Sequence, residues 1–238
     1  MRDFAEIWSY LAGGPLLWLT ATLIAYAAGD AVSRAAGRAP LANPVLVAVA
    51  LLAVLLWVTD TPYPVYFEGA QFVHFLLGPA TVALALPLYD QRAALRRVLL
   101  PVLAALAVGS VTALVSALAI ASALGAGPET LIALAPKSTT APVAIGIAET
   151  LGGSPTLTAV LVLTTGLIGA VVATPLLNAL GIRDWRARGL AVGVAAHGIG
   201  TARAMQVNPQ AGAFAGLGMG LNAVLTALLA PLVLGWWL

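Results

Sequence analysis

The residues best suited to chemistry lie in one short stretch, Leu134–Gly153, which reads LAPKSTTAPVAIGIAETLGG. It holds Lys137, the only lysine of the chain, with a proline on either side. Three hydroxyl residues follow it directly: Ser138, Thr139 and Thr140. An ammonium group and hydroxyls donate hydrogen bonds to anions, and a helix beginning near Thr140 would add its N-terminal amides. The stretch predicts half of a binding site for a small anion, although a lysine can also snorkel to a membrane interface.

A second polar group interrupts the apolar segment GLAVGVAAHGIGTARAMQ near the carboxyl end. Its candidate binding residues are His197, Gly198, Gly200, Thr201 and Arg203. A guanidinium group inside an apolar segment needs a partner or a cavity, and arginine binds carboxylates in a bidentate manner. His197 is either a structural hydrogen-bonding residue or a carrier of a coupling proton. The two glycines allow close approach of the backbone.

Five further residues complete the set of candidates. Asn222, in the last apolar span, either makes a hydrogen bond between helices or lines the binding site. Gly78 and Thr81 lie where a third apolar segment is broken, and they are candidate binding residues. Glu149 is a candidate counter-ion for a buried cation, or simply the end of a helix reaching water. Glu68 is a candidate charge partner or proton carrier, or a polar residue beside a loop.

The composition decides which class of protein must position these residues. The 238 residues are 61% hydrophobic and 8% charged, against roughly 25% charged in soluble domains. The apolar runs are long and do not alternate, which predicts an all-α polytopic membrane protein and not a barrel. Cysteine is absent, so disulfides and thiolate metal sites are excluded. No phosphate loop, zinc spacing or nucleophile elbow is present, so we expect no enzyme, cofactor or metal.

Apolar runs separated by polar residues predict the transmembrane elements. The runs are Pro15–Ala36, Asn43–Val58, Thr61–Gln91, Val98–Leu124, the lysine stretch, Pro155–Leu180, Gly189–Gln206 and Ala211–Leu234. Proline or glycine breaks the third, the lysine stretch and the seventh. Broken backbone survives in a bilayer only inside protein or against a cavity, because each unpaired backbone group costs several kcal/mol in hydrocarbon. The broken elements are therefore expected to face one another.

Two pairs of short segments are similar across the halves of the chain. Asn43–Val49, reading NPVLVAV, resembles Ser154–Val160, reading SPTLTAV. Gly78–Ala83, reading GPATVA, resembles Gly198–Arg203, reading GIGTAR. The pairs occur in the same order, and each broken segment follows its Pro-initiated helix. This pattern predicts an internal repeat.

The positions of the arginines predict how the two halves are oriented. Three clusters occur, comprising Arg34 and Arg38, then Arg92, Arg96 and Arg97, then Arg183, Arg186 and Arg188. If all three clusters are cytoplasmic, the lysine stretch must enter and leave the membrane on the same side. Otherwise the stretch crosses the membrane fully, and the third arginine cluster lies outside the cell. The first option predicts one transmembrane domain, 1–238, with two inverted repeats, 12–125 and 128–238. Each has about four elements, with discontinuous helices and a re-entrant segment, as in many secondary transporters.

Three motifs together resemble the LrgB/CidB family. They are PKSTTAPVAIGIAETLGG, GPATVALALPLY and ARGLAVGVAAHGIGTARA, and the similarity extends over about Pro15 to Leu234. The family form PKS-[VT]-T-x-P-[IV]-A is kept at Pro136–Ala144, and AHxIGT is kept with Gly198 at the variable position.

The resemblance implies two kinds of function. Bacterial members are holin-like or antiholin-like partners of small LrgA/CidA membrane proteins that modulate murein hydrolase activity and autolysis. Plastid relatives carry glycolate and glycerate, and other bacterial members are linked to pyruvate uptake. We therefore expect a multi-pass carrier of small monocarboxylates in a bacterial inner membrane, or a regulator of lysis that carries nothing. Expected partners are a small anion, the lipid bilayer, an LrgA/CidA-type protein and, by analogy, a second copy in a dimer.

Overall fold

The fold is helical wherever the chain is described. The computed structural model describes residues 14–39, 42–76, 79, 89 and 96–238, and all regular elements in these ranges are helices. The chain divides into two compact units, residues 1–83 and 84–238. The repeat boundaries 12–125 and 128–238 stay a prediction.

The first unit contains three described helices: α1 (Pro15–Ala35), α2 (Pro44–Val58) and α3 (Tyr63–Phe75). Proline occupies the first turn of α1 and α2, where its missing N–H would be unpaired in any case. The Asn43 side chain caps α2 by accepting from two amides of the first turn. Gly29 of α1 lies against the Pro44 carbonyl, so the two helices pack closely there. The predicted break at Gly78–Thr81 lies outside the described residues.

The second unit contains the remaining helices. They are α4 (Leu99–Ala123), α5 (Pro128–Leu134), α6 (Ala141–Thr150), α7 (Pro155–Ala179), α8 (Trp185–Val207) and α9 (Pro209–Trp237). Among the described helices, α1, α4, α7 and α9 are long and apolar enough to cross a membrane. The predicted spans that correspond to these four are confirmed to within three residues at each end. The chain is thus a multi-pass membrane protein, as its composition predicts.

The lysine stretch folds into a helical hairpin formed by α5 and α6. The chain turns between Ala135 and Thr139, and Thr140 then caps α6 with extended backbone at φ −66° and ψ 148°. This confirms the predicted helix start near Thr140–Pro142. Gly153, just after α6, lies against Ile132 of α5, so α6 brings the chain back alongside α5. Lys137 consequently lies in the tip of this hairpin, which we call the lysine tip (residues 135–140).

The α8 segment is also a hairpin, because its helical backbone breaks at its middle. His197 has φ 40° and ψ −136°, a left-handed conformation that a non-glycine residue rarely adopts. Gly189 in the first half lies against Ala211, and Met205 in the second half lies against Gly212. Both halves therefore have their outer ends beside the start of α9. We call the turn between them (residues 196–200) the histidine tip.

Helices α4 and α9 run in the same direction and hold both hairpins. The middle of α4 meets the middle of α9 through Ser110 and Asn222, and the ends meet through Ser122 and Trp237. Two apolar cores lie on either side of the middle. One contains Val102, Leu106, Leu190, Val194, Phe214 and Leu217. The other contains Leu114, Leu118, Leu131, Ala135, Ala230 and Leu234.

Candidate functional site

The polar centre of the second unit is the side chain of Asn222, which is 1% exposed in the middle of α9. Its Nδ2 donates to the Ser138 carbonyl at 3.1 Å and to the Val194 carbonyl at 3.2 Å. Its Oδ1 accepts from Ser110 Oγ at 2.6 Å and from Thr226 Oγ1 at 3.3 Å. One amide thus joins α4, α8, α9 and the lysine tip. Of the two alternatives for Asn222, this geometry matches the helix–helix hydrogen bond.

Lys137 lies next to this centre, half-buried in the lysine tip. Its Nζ donates to Ser138 Oγ at 3.3 Å, and no carboxylate lies within 4.0 Å of it among the residues that the structure describes. Glu149, the candidate counter-ion, is exposed in the last turn of α6. A half-buried ammonium group without a carboxylate partner has donors available for an anion.

The hydroxyls that follow Lys137 have different roles. Thr139 is fully buried, and its Oγ1 donates to the Pro136 carbonyl at 2.9 Å, which closes the turn. Ser138 is buried, and it accepts from the lysine through its hydroxyl and from Asn222 through its carbonyl. Thr140 caps α6 through its backbone and makes no side-chain cap. Pro142 has no N–H and the Ala144 N–H donates to the Thr140 carbonyl, so the first-turn donors of α6 that no side chain caps are the amides of Ala141 and Val143.

The histidine tip contacts α7 through a hydrogen bond of His197. His197 is 3% exposed, and its Nε2 donates to the Val162 carbonyl at 2.9 Å. Asn222 donates to the Ser138 carbonyl in the lysine tip and to the Val194 carbonyl, two residues before the histidine tip, so the two tips lie close together. The Thr201 hydroxyl donates back to the His197 carbonyl at 2.8 Å. His197 therefore has the contacts of a structural residue, and it is also near the only lysine.

The two glycines of the histidine tip have different surroundings. A Cβ at Gly200 would meet Ala196 and Val192, so this glycine lets the two halves of the hairpin approach closely. A Cβ at Gly198 would only reach ordinary contact with Met219 Sδ at 3.8 Å. The break predicted at these glycines lies one residue earlier, at His197, because the histidine takes the left-handed conformation itself.

Arg203 lies apart from the Asn222 centre, although the sequence groups it with His197 and Thr201. It is six residues beyond His197, on the outer part of the second half of α8. It lines a cavity of about 20 Å³ together with Trp185 and Arg188, and its Nη1 donates to Gln206 Oε1 at 3.4 Å. One and a half helical turns separate it from the histidine tip, so a guanidinium group there meets different neighbours.

The other candidates lie in the first unit. Glu68 is exposed on α3, and its backbone carbonyl accepts from Gln71. Gly78 and Thr81 fall outside the described residues. No group of three or more metal-ligating side chains occurs within the described part of the chain.

Sequence reasoning missed two members of the Asn222 centre. Ser110 lies in the middle of the apolar span α4, and Thr226 lies one turn beyond Asn222 on α9. The signal that could have identified them is a hydroxyl halfway along an apolar helix, because such a hydroxyl needs a hydrogen-bond partner inside the protein. Small hydroxyl residues also occur in α4 for close packing, and the pattern alone does not separate the two uses.

Comparison with known proteins matches nearly the whole chain to one family. The profile of the LrgB-like family matches residues 22–236. The "Holin-like protein CidB" of Staphylococcus epidermidis is 34% identical over 195 residues, covering 82% of this chain and 85% of that protein. The "Holin-like protein CidB" of Staphylococcus aureus is 31% identical with the same coverage.

Relatives also occur in another genus. The "Uncharacterized protein YwbG" of Bacillus subtilis is 36% identical over 194 residues, covering 82% of this chain and 86% of that protein. No solved structure matches the chain. From the family profile and these identities over four fifths of its length, the chain belongs to the LrgB-like family.

Proposed function

We propose that the protein is a secondary carrier of small monocarboxylates, such as pyruvate, glycolate or glycerate, in a bacterial inner membrane. The observation that carries this proposal is the half-buried ammonium group of Lys137, which has a hydroxyl and no carboxylate partner among the described residues. A half-buried cation without a carboxylate partner is stabilised when a counter-ion binds to it. A monocarboxylate supplies one negative charge, which matches one ammonium group.

Both helical hairpins are assigned as re-entrant in this proposal. The lysine hairpin shares its outer end with the carboxyl end of α9 through the core that contains Leu131 and Leu234. The histidine hairpin shares its outer end with the start of α9 at Ala211. They approach Asn222 from opposite ends of α9, and discontinuous elements that meet near the midplane are a feature of many secondary transporters. Helices α4 and α8 begin at one end of the second unit, which agrees with arginine clusters on one membrane face.

In this proposal the monocarboxylate binds at the lysine tip, residues 135–140. Lys137 Nζ and the uncapped first amides of α6 supply donors for a carboxylate, and Ser138 Oγ supplies a partner for a 2-oxo or 2-hydroxy group. Alternating access would require movement of the tips relative to α7 and α9, since the described contacts close around Asn222 and His197.

Uptake into proteoliposomes tests the carrier function. Wild-type protein should accumulate labelled pyruvate or glycolate, and Lys137→Met should reduce uptake at least about tenfold because it removes the cation and keeps the length of the side chain. Arg34→Met, which removes an exposed cation of the other compact unit, is the matched control and should retain uptake. If purified wild-type protein moves none of these acids, the carrier proposal fails; if Lys137→Met transports normally, the assigned site fails.

A second candidate is a regulator of murein hydrolase export and lysis that carries no substrate. The printed name of the Staphylococcus relatives, "Holin-like protein CidB", favours it. Such a regulator would assemble with itself or with a small LrgA/CidA-type membrane protein, and its effect would not require Lys137. Leakage of dye from liposomes that depends on assembly size and persists in Lys137→Met would support this candidate over the carrier.

A further inference from the structure

An open apolar groove runs between α4 and the first half of α8. Its volume is about 520 Å³, and it is open on one side. Small residues line it at helical spacing: Pro101, Ala105 and Gly109 on α4 face Ala187, Ala191 and Ala195 on α8. Facing small residues usually let two helices touch. Here they border a space that is unfilled by side chains of the described residues.

The groove is long enough for one acyl chain. Along α4 it extends from Val98 to Ala113, about 22 Å at 1.5 Å per residue. One leaflet of a bilayer has a hydrocarbon thickness of about 15 Å, half of the usual 30 Å. Since α4 is one of the helices that can cross a membrane, a groove along its first 15 of 25 residues lies at the depth of lipid tails.

Charge is confined to one end of the groove. Among the described residues, the charged side chains that line it are Asp184 and Arg186, and these are hydrogen-bonded to each other through Arg186 Nε and Asp184 Oδ1 at 3.0 Å. Three more arginines adjoin this end in the sequence: Arg97 precedes the lining residue Val98, Arg96 precedes Arg97, and Arg183 precedes Asp184. All three are exposed. Because Asp184 is paired with Arg186, the residues that adjoin this end of the groove in the sequence add a net positive charge of three exposed arginines.

We propose that this groove binds an anionic phospholipid, with an acyl chain along α4 and α8 and the phosphate at Arg96, Arg97 and Arg183. An occupant must be apolar over about 22 Å and negative at one end, which is the chemistry of such a lipid. The bound lipid would brace α8 next to Val194, whose carbonyl holds Asn222. The inference rests on the groove and its charges, and it is independent of the carrier function.

Native mass spectrometry of the detergent-purified full chain tests the proposal with palmitoyl-oleoyl phosphatidylglycerol and phosphatidylcholine as probes. Wild-type protein should retain the anionic lipid roughly tenfold better than the zwitterionic one. Arg96→Gln with Arg97→Gln should bring that ratio close to one. Arg34→Gln, which removes an arginine of the other compact unit, is the charge control and should leave the ratio unchanged.

The apolar part is tested with a matched pair of variants on α4. Ala105→Phe fills the groove and should lower retention of both lipids several-fold, whereas Ala107→Phe, on an exposed position that does not line the groove, should not. Equal retention of the two lipids by the wild type overturns the proposal, as does equal retention by the two phenylalanine variants. A change of oligomeric mass in Ala105→Phe without loss of lipid assigns the groove to a protein partner. Displacement of the lipid by inorganic phosphate at millimolar concentration overturns the role of the acyl chain.

Discussion

Replacing Asn222 with alanine should destabilise the second unit more than any other single polar change in its middle. The variant removes four hydrogen bonds, two of which are accepted by the backbone carbonyls of Ser138 and Val194. Hydrogen bonds between membrane helices average about 0.6 kcal/mol, so four of them give about 2.4 kcal/mol. The cavity left by the amide raises the total, and we expect a loss of about 2–4 kcal/mol in the free energy of unfolding.

The assay is reversible unfolding in mixed micelles with increasing denaturing detergent, followed by circular dichroism. Thr226→Val is the control on the same helix face, because it removes only the longest of the four bonds, 3.3 Å, and should cost about 0.6 kcal/mol. Combining Ser110→Ala with Asn222→Ala should cost less than the sum of the single changes, since both remove the 2.6 Å bond. The reasoning is refuted if Asn222→Ala is within about 0.5 kcal/mol of the wild type, the scatter of independent sites.

Three further predictions concern the backbone and the exposed loop. Gly193→Ala should destabilise the protein in the same unfolding assay because the new Cβ would collide with the Ala215 carbonyl. Gly220→Ala, with open space around it, should be neutral or stabilising. Equal effects of the two changes would contradict the close packing of α8 on α9 at Gly193. His197→Val should fold poorly and His197→Gly should be tolerated better, since a β-branched residue does not adopt φ 40°. The measurement is protease protection on membranes, and better protection of the valine variant than of the glycine variant would contradict this prediction. Hydrogen bonding from Arg186 lowers the pKa of Asp184 to about 2. The small contribution of this carboxylate to stability is therefore present above about pH 4 and is lost as the pH falls through about 2. Asp184→Asn should lack that acid-sensitive step in thermal unfolding.

The spans and the start of α6 could be predicted from the sequence because each rests on local chemistry. Proline in the first turn and Ser154 as an N-terminal cap fix the start of α7 without help from the rest of the chain. Likewise, Pro142, two residues after Thr140, indicates the start of α6. Such signals lie within a few residues of the feature that they determine.

The contacts of the site could not be predicted in the same way. Asn222 meets Ser138 across 84 residues of chain and Ser110 across 112. A single sequence gives the types of these residues and not their partners. The sequence therefore groups Arg203 with His197 because both interrupt one apolar segment, and it does not single out Ser110. Which way the histidine hairpin turns depends on the contacts of Gly189 and Met205 with α9, which are equally non-local.

The lysine hairpin is completed by a helix that the ribosome makes much later. Helices α5 and α6 have 7 and 10 residues, well below the roughly 20 needed to span a bilayer on their own. Their tip is held by Asn222, which emerges only after α7 and α8 have been synthesised. The contact that holds the lysine tip can therefore form only after α7, α8 and half of α9 have been synthesised. We expect a chain that ends before α9 to lack this contact, so the order of synthesis makes the lysine tip one of the last parts of the second unit to reach its native neighbours.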